Sequence, residues 1–376
     1  MKIVYFTHSL ASCWNHGNAH FLRGVLRELK ALGHEVSAWE PEGSWSLQNL
    51  LQDAGPSGLE AWRKAYPDLS SRTFTASAEA ERGACDGADL VIVHEWNDPE
   101  LVAAIGRVRA GGARFTLLFH DTHHRAVSEP NAIHAFDLSG YDGVLAFGET
   151  LAQVYRRWGW GDQVFVWHEA ADIRLFHPPT EECAREGLVW IGNWGEGERT
   201  AELESFLLAA AEDAGLPLDI YGVRYPTEAL SLLKRYGANY KGWIANASAP
   251  AVFARHLATV HVPRRFYVEQ LPGIPTIRVF EALACGIPLV SAPWRDTENL
   301  FRPGQDFLVA ADGEAMAGHL RNLRDDAGLR QSVVAGGLET IRARHTCAHR
   351  AQELLAVADR LGVAHADPSP VLETVR

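Results

Sequence analysis

Apolar residues recur along this chain with two alternating periods. Residues 2–8 form an apolar run of strand length, and residues 19–32 then repeat apolar side chains at helical spacing, with Phe21, Leu22, Val25, Leu26 and Leu29 on one face. Gly33 and His34 close that helix, and residues 35–39 resume as a strand. This β-loop-α-β unit opens a doubly wound sheet. Residues 44–68 read as helical, with Trp45 and Trp62 in the core or at its rim. Strands follow at 89–94, 114–120, 141–147 and 163–167, with helices at 99–110 and 149–158 between them. A second series has strands at 187–191, 218–221, 240–243, 260–262, 287–291 and 307–310. Its helices fall at 200–214, 313–325, 329–345 and 348–361, and a helix and turn are expected at 296–306. Two such series predict an α/β protein built from two Rossmann-like, doubly wound domains.

The stretch 272–293, PGIPTIRVFEALACGIPLVSAP, stands out. Pro275 in a first turn gives up an amide hydrogen that has no intrahelical partner, and Gly286 is a good stop, so a short helix feeds a buried strand. Its start, at Thr276 and Ile277, offers unpaired amides and the positive end of the macrodipole, which suits a phosphate or diphosphate. Arg278 adds a fork-shaped cation, and Glu281 lies one turn further on the same face. The plain alternative is an amphipathic helix whose Arg278 and Glu281 form a surface ion pair.

Polar clusters follow several strands, at the strand ends where such sheets bind ligands. The first loop holds Ser12, Asn15, His16, Gly17 and Asn18, with no G-x-G-x-x-G fingerprint. His94, Glu95, Trp96 and Asn97 follow the strand 89–94, and His120, Asp121, Thr122, His123 and His124 follow 114–120. Neighbouring parallel strands would bring these two clusters to one rim. The histidines and Asp121 could bind an acceptor hydroxyl and handle its proton, ligate a metal, or cap a helix and tie loops together. The loop 192–199 (GNWGEGER) has three glycines for close approach to a ligand, and Arg264 and Arg265 stand near the proposed phosphate site.

Length and charge narrow the function. A chain of 376 residues favours two domains over one core. A formal net charge of −12 without a basic cluster argues against nucleic-acid binding. Residues 1–10 lack the pattern of a secretory signal, and no run approaches the roughly 20 apolar residues of a membrane span. The five cysteines are scattered without C-x-x-C spacing, so reduced thiols and a cytoplasmic location are expected.

The run R-x-F-E-A-x-A-C-G-x-P-L-V-S from Arg278, continued by WRDTENLFRPGQDFLV, resembles the carboxy-terminal signature of group 1 glycosyltransferases with the GT-B fold, and more narrowly the CgeB-like branch. The resemblance implies two domains facing a central cleft: an acceptor-side domain at 1–172, a linker at 173–186, a nucleotide-sugar domain at 187–347, a helix at 348–363 crossing back, and a tail at 364–376. It implies transfer of a sugar from a nucleotide-diphosphate sugar to a hydroxyl of a glycan, lipid, protein or small molecule, with retention of configuration. No metal and no cofactor beyond the donor substrate are implied, and the sequence contains no D-x-D.

Carried onto this chain, the donor contacts are Arg199, Gly242, Arg264, Thr276, Ile277, Arg278 and Glu281. Acceptor or sugar contacts are Asn15, His16, Gly17, His94, Glu95, His123 and Gly273, and the residues placed nearest the chemistry are His120 and Asp121. The wider group carries two glutamates with seven residues between them. Glu281 matches the later one, on the ribose, but the earlier falls on Gly273. Two other readings stay open: a nucleotide-sugar epimerase, or a non-catalytic carbohydrate-binding protein on the same fold.

Overall fold

The computed structural model describes residues 1–75, 77–181 and 184–363. The expected tail at 364–376 and the thiol of Cys183 lie outside the described residues. The first sheet contains β1 (Lys2–Phe6), β2 (Glu35–Pro41), β3 (Ser71–Phe74), β4 (Leu90–His94), β5 (Thr116–Asp121), β6 (Gly143–Ala146) and β7 (Val164–Val166). The second contains β8 (Leu188–Ile191), β9 (Leu218–Tyr221), β10 (Asn239–Gly242), β11 (Ala258–His261), β12 (Leu289–Ser291) and β13 (Leu308–Val309). Strand order is β3-β2-β1-β4-β5-β6-β7 in one and β10-β9-β8-β11-β12-β13 in the other, and every pairing is parallel.

Both orders reverse direction once, between β1 and β4 and between β8 and β11. Loops leaving neighbouring strands at such a point run to opposite faces and leave a crevice at the carboxyl ends of the strands. The four segments after β1, β4, β8 and β11 are therefore where this fold can hold ligands. The strands themselves read as continuous apolar runs because helices cover both faces of each sheet.

Several elements escape the periodicity. The short β3 and the helices Ala78–Cys85 and Thr227–Arg235 were not expected. The expected helix over 44–68 is two, Trp45–Ala54 and Pro56–Ala65, because Gly55 at φ +59° ends one and Pro56 opens the other. No helix forms at 296–306. There Asn299 sits at φ +54° and the Asp296 carboxylate accepts the amides of Glu298 and Phe301, drawing the backbone out of a helical pattern.

The final helix, Cys347–Arg360, packs on the first helix, Ala19–Ala31. A Cβ at Gly24 would stand 2.5 Å from Cys347 Sγ, so the glycine sets how closely they approach. Arg350 O accepts the Trp167 indole N–H at 2.8 Å, and the Cys347 amide donates to the Ala171 carbonyl at 3.0 Å. One buried apolar layer runs from the first sheet through this helix to Phe280 and Leu289 of the second half. No helix among the described residues is long and apolar enough to cross a membrane.

Candidate active site

The two sheets present their switch-point loops to each other across a cleft of about 1250 Å³. That volume is at the upper end of ligand pockets, which run to about 1,000 Å³. The helix Ile277–Cys285 starts on its wall: Thr276, Ile277 and Arg278 all line the cleft. Gly286 closes this helix at φ +64°, in the left-handed conformation that favours glycine. At the other end, Ile277 Cγ2 would stand 3.4 Å from a Cβ on Gly17, so the first loop of the opposite domain lies directly against the helix start.

Arg278 is held from behind. Glu281 is wholly buried, its Oε2 bonded to the Arg278 guanidinium and its Oε1 2.6 Å from His20 Nδ1 of the first helix. Burial alone would raise the carboxyl pKa, but Arg278 and His20 together hold it below the usual value. Glu281 therefore does not line the cleft. Both its oxygens are turned to groups of the protein, Arg278 and His20, so Glu281 braces the guanidinium from behind.

The glycine loop after β8 takes an unexpected form. Gly195 and Gly197 adopt φ of +86° and +89°. Arg199 lines the cleft, yet it is buried and donates to the carbonyls of Val262, Asn193 and Trp194 at 2.5, 2.6 and 3.3 Å. Burial lowers its pKa to about 10, so it is charged at neutral pH, but its N–H groups tie β8's loop to the end of β11. Arg264 also lines the cleft and pairs with Glu198 at 2.6 Å and with Glu196. Of the three arginines expected at the phosphate, only Arg278 has its partner buried behind it and its own side chain partly open, at 27% exposure.

From the first domain, Asn15, His16, Gly17 and His123 line the cleft. Asn15 reaches across it, its Oδ1 accepting from Asn193 Nδ2. His94 and His120 face each other in the β4/β5 register, as the neighbouring-strand argument requires. Neither reaches the cleft wall, and nor do Glu95 and Asp121. His120 is 2% exposed, bonded to the Tyr5 hydroxyl and 4.7 Å from the Trp167 ring, and burial lowers its pKa to about 3. Asp121 accepts from the Tyr155 hydroxyl at 2.7 Å and from the His123 amide at 3.0 Å, and burial raises it to about 6. Both are parts of the packed sheet end that shape the loop carrying His123. His94 bonds Thr122 Oγ1 at 3.0 Å, and Glu95 grips Arg125. Among the described residues no cluster of three His, Cys, Asp or Glu side chains is arranged to hold a metal.

Gly242 and Gly273 also stand off the cleft wall. The carbonyl of Gly242 accepts the Gly222 amide at 2.9 Å, and it is Trp243 that lines the cleft. Gly273 is buried at φ +98°, and a Cβ there would lie 2.0 Å from Thr297 Oγ1. No glutamate fits that position: both the backbone conformation and the space exclude a side chain. Gly273→Ala is expected to cost about 3 kcal/mol, read as a lower urea midpoint at unchanged m-value. A midpoint equal to wild type would refute the conflict with Thr297.

Sequence reasoning missed Glu169, which follows β7, lines the cleft at 3% exposure and has no hydrogen-bond partner for Oε1 among the described residues. Burial, with Glu281 nearby, pushes its pKa well up, offset in part by Arg278. It also missed the half-exposed Trp45 and Trp96 on the first domain's wall of the cleft, which periodicity cannot tell from core aromatics.

Two Rossmann-like domains closing on a shared cleft are the GT-B arrangement. Residues 199–356 match the family described as glycosyl transferase-like. The crystal structure of HepE from Anabaena with UDP and glucose superposes with TM-score 0.67 at 14% identity, covering 96% of this chain and 100% of that one. Sucrose-phosphate synthase from Thermosynechococcus elongatus gives TM-score 0.69 at 14% identity, covering 97% and 100%. An alpha-glucosyltransferase in complex with UDP gives 0.70 at 10% identity, covering 95% and 99%. No curated protein matches the sequence.

Proposed function

We propose that this protein is a glycosyltransferase that moves a sugar from a UDP-sugar to a hydroxyl of a saccharide acceptor. The observation that carries the reading is the helix start at Thr276, Ile277 and Arg278, open to the cleft between the domains. Its free amides and the braced guanidinium neutralise a diphosphate and stabilise it as it leaves, without requiring a metal ion. UDP is preferred among nucleotides because the GT-B neighbours HepE and the alpha-glucosyltransferase were solved with it. The base would lie toward Trp243 and Val223, which line the same cleft beyond the glycine loop.

The acceptor class is read from the opposite wall. Trp45 and Trp96 offer flat apolar faces, and His16 and His123 offer hydrogen-bonding imidazoles that burial keeps neutral, with pKa values well below the usual one. Aromatic faces beside uncharged donors and acceptors suit a sugar ring better than a phosphate chain. The retaining outcome, the domain limits implied by the resemblance, the CgeB-like placement and a cytoplasmic setting belong to the same proposal. The anomeric proton coupling of the product reads the stereochemistry directly.

The test is ligand-dependent stability. UDP at 1 mM is expected to raise the melting temperature by several degrees in the presence of EDTA, with UMP and inorganic phosphate giving less. A folded protein whose melting temperature is unmoved by UDP, ADP, GDP and TDP would sink the reading.

A further inference from the structure

Among the buried polar atoms of the cleft wall that have no partner among the described residues, one belongs to a carboxyl that no arginine or lysine pairs with, that of Glu169. Glu169 comes from the segment after β7, whose neighbours Ala170 and Ala171 are fully buried and whose Asp172 meets the first helix through Arg27. The backbone is therefore fixed: the Glu169 carbonyl accepts from Arg350 of the final helix at 3.4 Å, and Ala171 pairs with Thr346. From this fixed backbone the buried side chain lines the cleft. Its Oε1 is unpartnered among the described residues; Glu95 and Glu281 also leave one oxygen without a hydrogen bond, but each holds an arginine on the other, and no ion pair to Glu169 is seen among the described residues.

A buried polar atom without a partner costs about 1–3 kcal/mol, and such atoms persist where a ligand completes them. The ligand's place follows from the surroundings. Glu169 lines the same cleft as Thr276, Ile277 and Arg278, and Arg278 and Glu281 act on its carboxyl, so it faces the proposed diphosphate site from the opposite domain. A sugar linked to that diphosphate must lie between the helix start and this wall. An ionised Glu169 would add a second negative charge beside Glu281 and the diphosphate. The un-ionised acid, favoured by burial, both donates and accepts, which matches a sugar hydroxyl.

Resting on the transferase reading, we propose that Glu169 is a donor-sugar residue: its carboxyl hydrogen-bonds a hydroxyl of the sugar carried by the nucleotide, and it makes no contact with the nucleotide itself. It supplies from the first domain a sugar contact that Gly273 cannot make from the second. The role is binding and positioning, with no proton transfer to the reacting bond.

The test compares UDP with the UDP-sugar that the wild type binds most tightly among UDP-glucose, UDP-galactose and UDP-N-acetylglucosamine, by calorimetry. Glu169→Ala is expected to bind UDP like wild type and the UDP-sugar about tenfold more weakly, while Glu169→Gln, a neutral donor and acceptor of the same shape, stays within about threefold. The ligand-free Glu169→Ala protein should melt at or above the wild-type temperature, since an unsatisfied buried group has been removed. Equal loss of UDP and UDP-sugar, or no loss of either, overturns the assignment alone. So does a Gln variant as weak as the Ala variant, which would make the ionised carboxylate the binding form. A wild type that binds no nucleotide overturns the transferase reading with it.

Discussion

Taking the protein from pH 7 to pH 5 is expected to remove on the order of 5 kcal/mol of folding stability. The cause is a set of buried imidazoles. His120, His124, His261 and His345 have pKa values lowered to about 3, chiefly by burial. His16 and His94 are lowered well below the usual value for the same first reason. A histidine whose folded pKa is depressed stays neutral in the native state, while the unfolded chain takes up protons below about pH 6.5. Stability is thus highest above pH 6.5 and falls with pH through the window down to about 3. At pH 5 each such imidazole costs about 2 kcal/mol relative to pH 7.

Three buried carboxyls oppose this. Glu95, raised to about 8, Asp121, raised to about 6, and Glu169, raised well up, bind protons more readily when folded. Their unfavourable contribution is present above these values and shrinks as pH falls, giving back roughly half of what the histidines lose. Chemical denaturation at the two pH values, at constant ionic strength, reads the net effect. Equal free energies at pH 7 and pH 5 would mean that these imidazoles are solvated in the native state.

The doubly wound halves were legible because both sheets are buried on two faces, which turns nearly every strand into an apolar run. The strand β3 escaped because Arg72 and Thr73 at the sheet edge leave it no such run. The helix start at Thr276 to Arg278 was legible too, since Pro275 and Gly286 punctuate it chemically. What the alternation of residues could not reveal is side-chain direction at the strand ends. His94 and His120 stand at the right rim, yet Tyr5 and Trp167 draw the His120 ring into the core, and the adjoining loop carries His123 to the cleft instead. Glu281 was read as a ligand group because its spacing from Arg278 is visible along the chain. The imidazole that takes its other oxygen comes from His20, in another domain. Glu169 carries no motif, and only the three-dimensional arrangement reveals its empty hydrogen-bonding position.

Replacing Arg278 is expected to weaken nucleotide binding about a hundredfold and destabilise the fold, and the two effects separate. In Arg278→Ala the wholly buried Glu281 loses its cation, which costs about 3 kcal/mol or more because an unpaired carboxylate remains out of water. UDP affinity falls by about two orders of magnitude, the value of a charge-assisted, forked contact to phosphate. A surface ion pair would predict neither, since exposed pairs contribute at most about 1 kcal/mol. The double variant Arg278→Ala, Glu281→Gln removes the stranded charge, so most of the stability should return while UDP binding does not. Recovery of UDP binding in the double variant would show that Glu281, not the guanidinium, had set the affinity. Retained binding in Arg278→Ala itself would leave the helix amides alone to hold the diphosphate. The His20 contact links this pair to the first domain, so the single variant should also loosen the closed arrangement, seen as faster hydrogen exchange in the helix Ala19–Ala31.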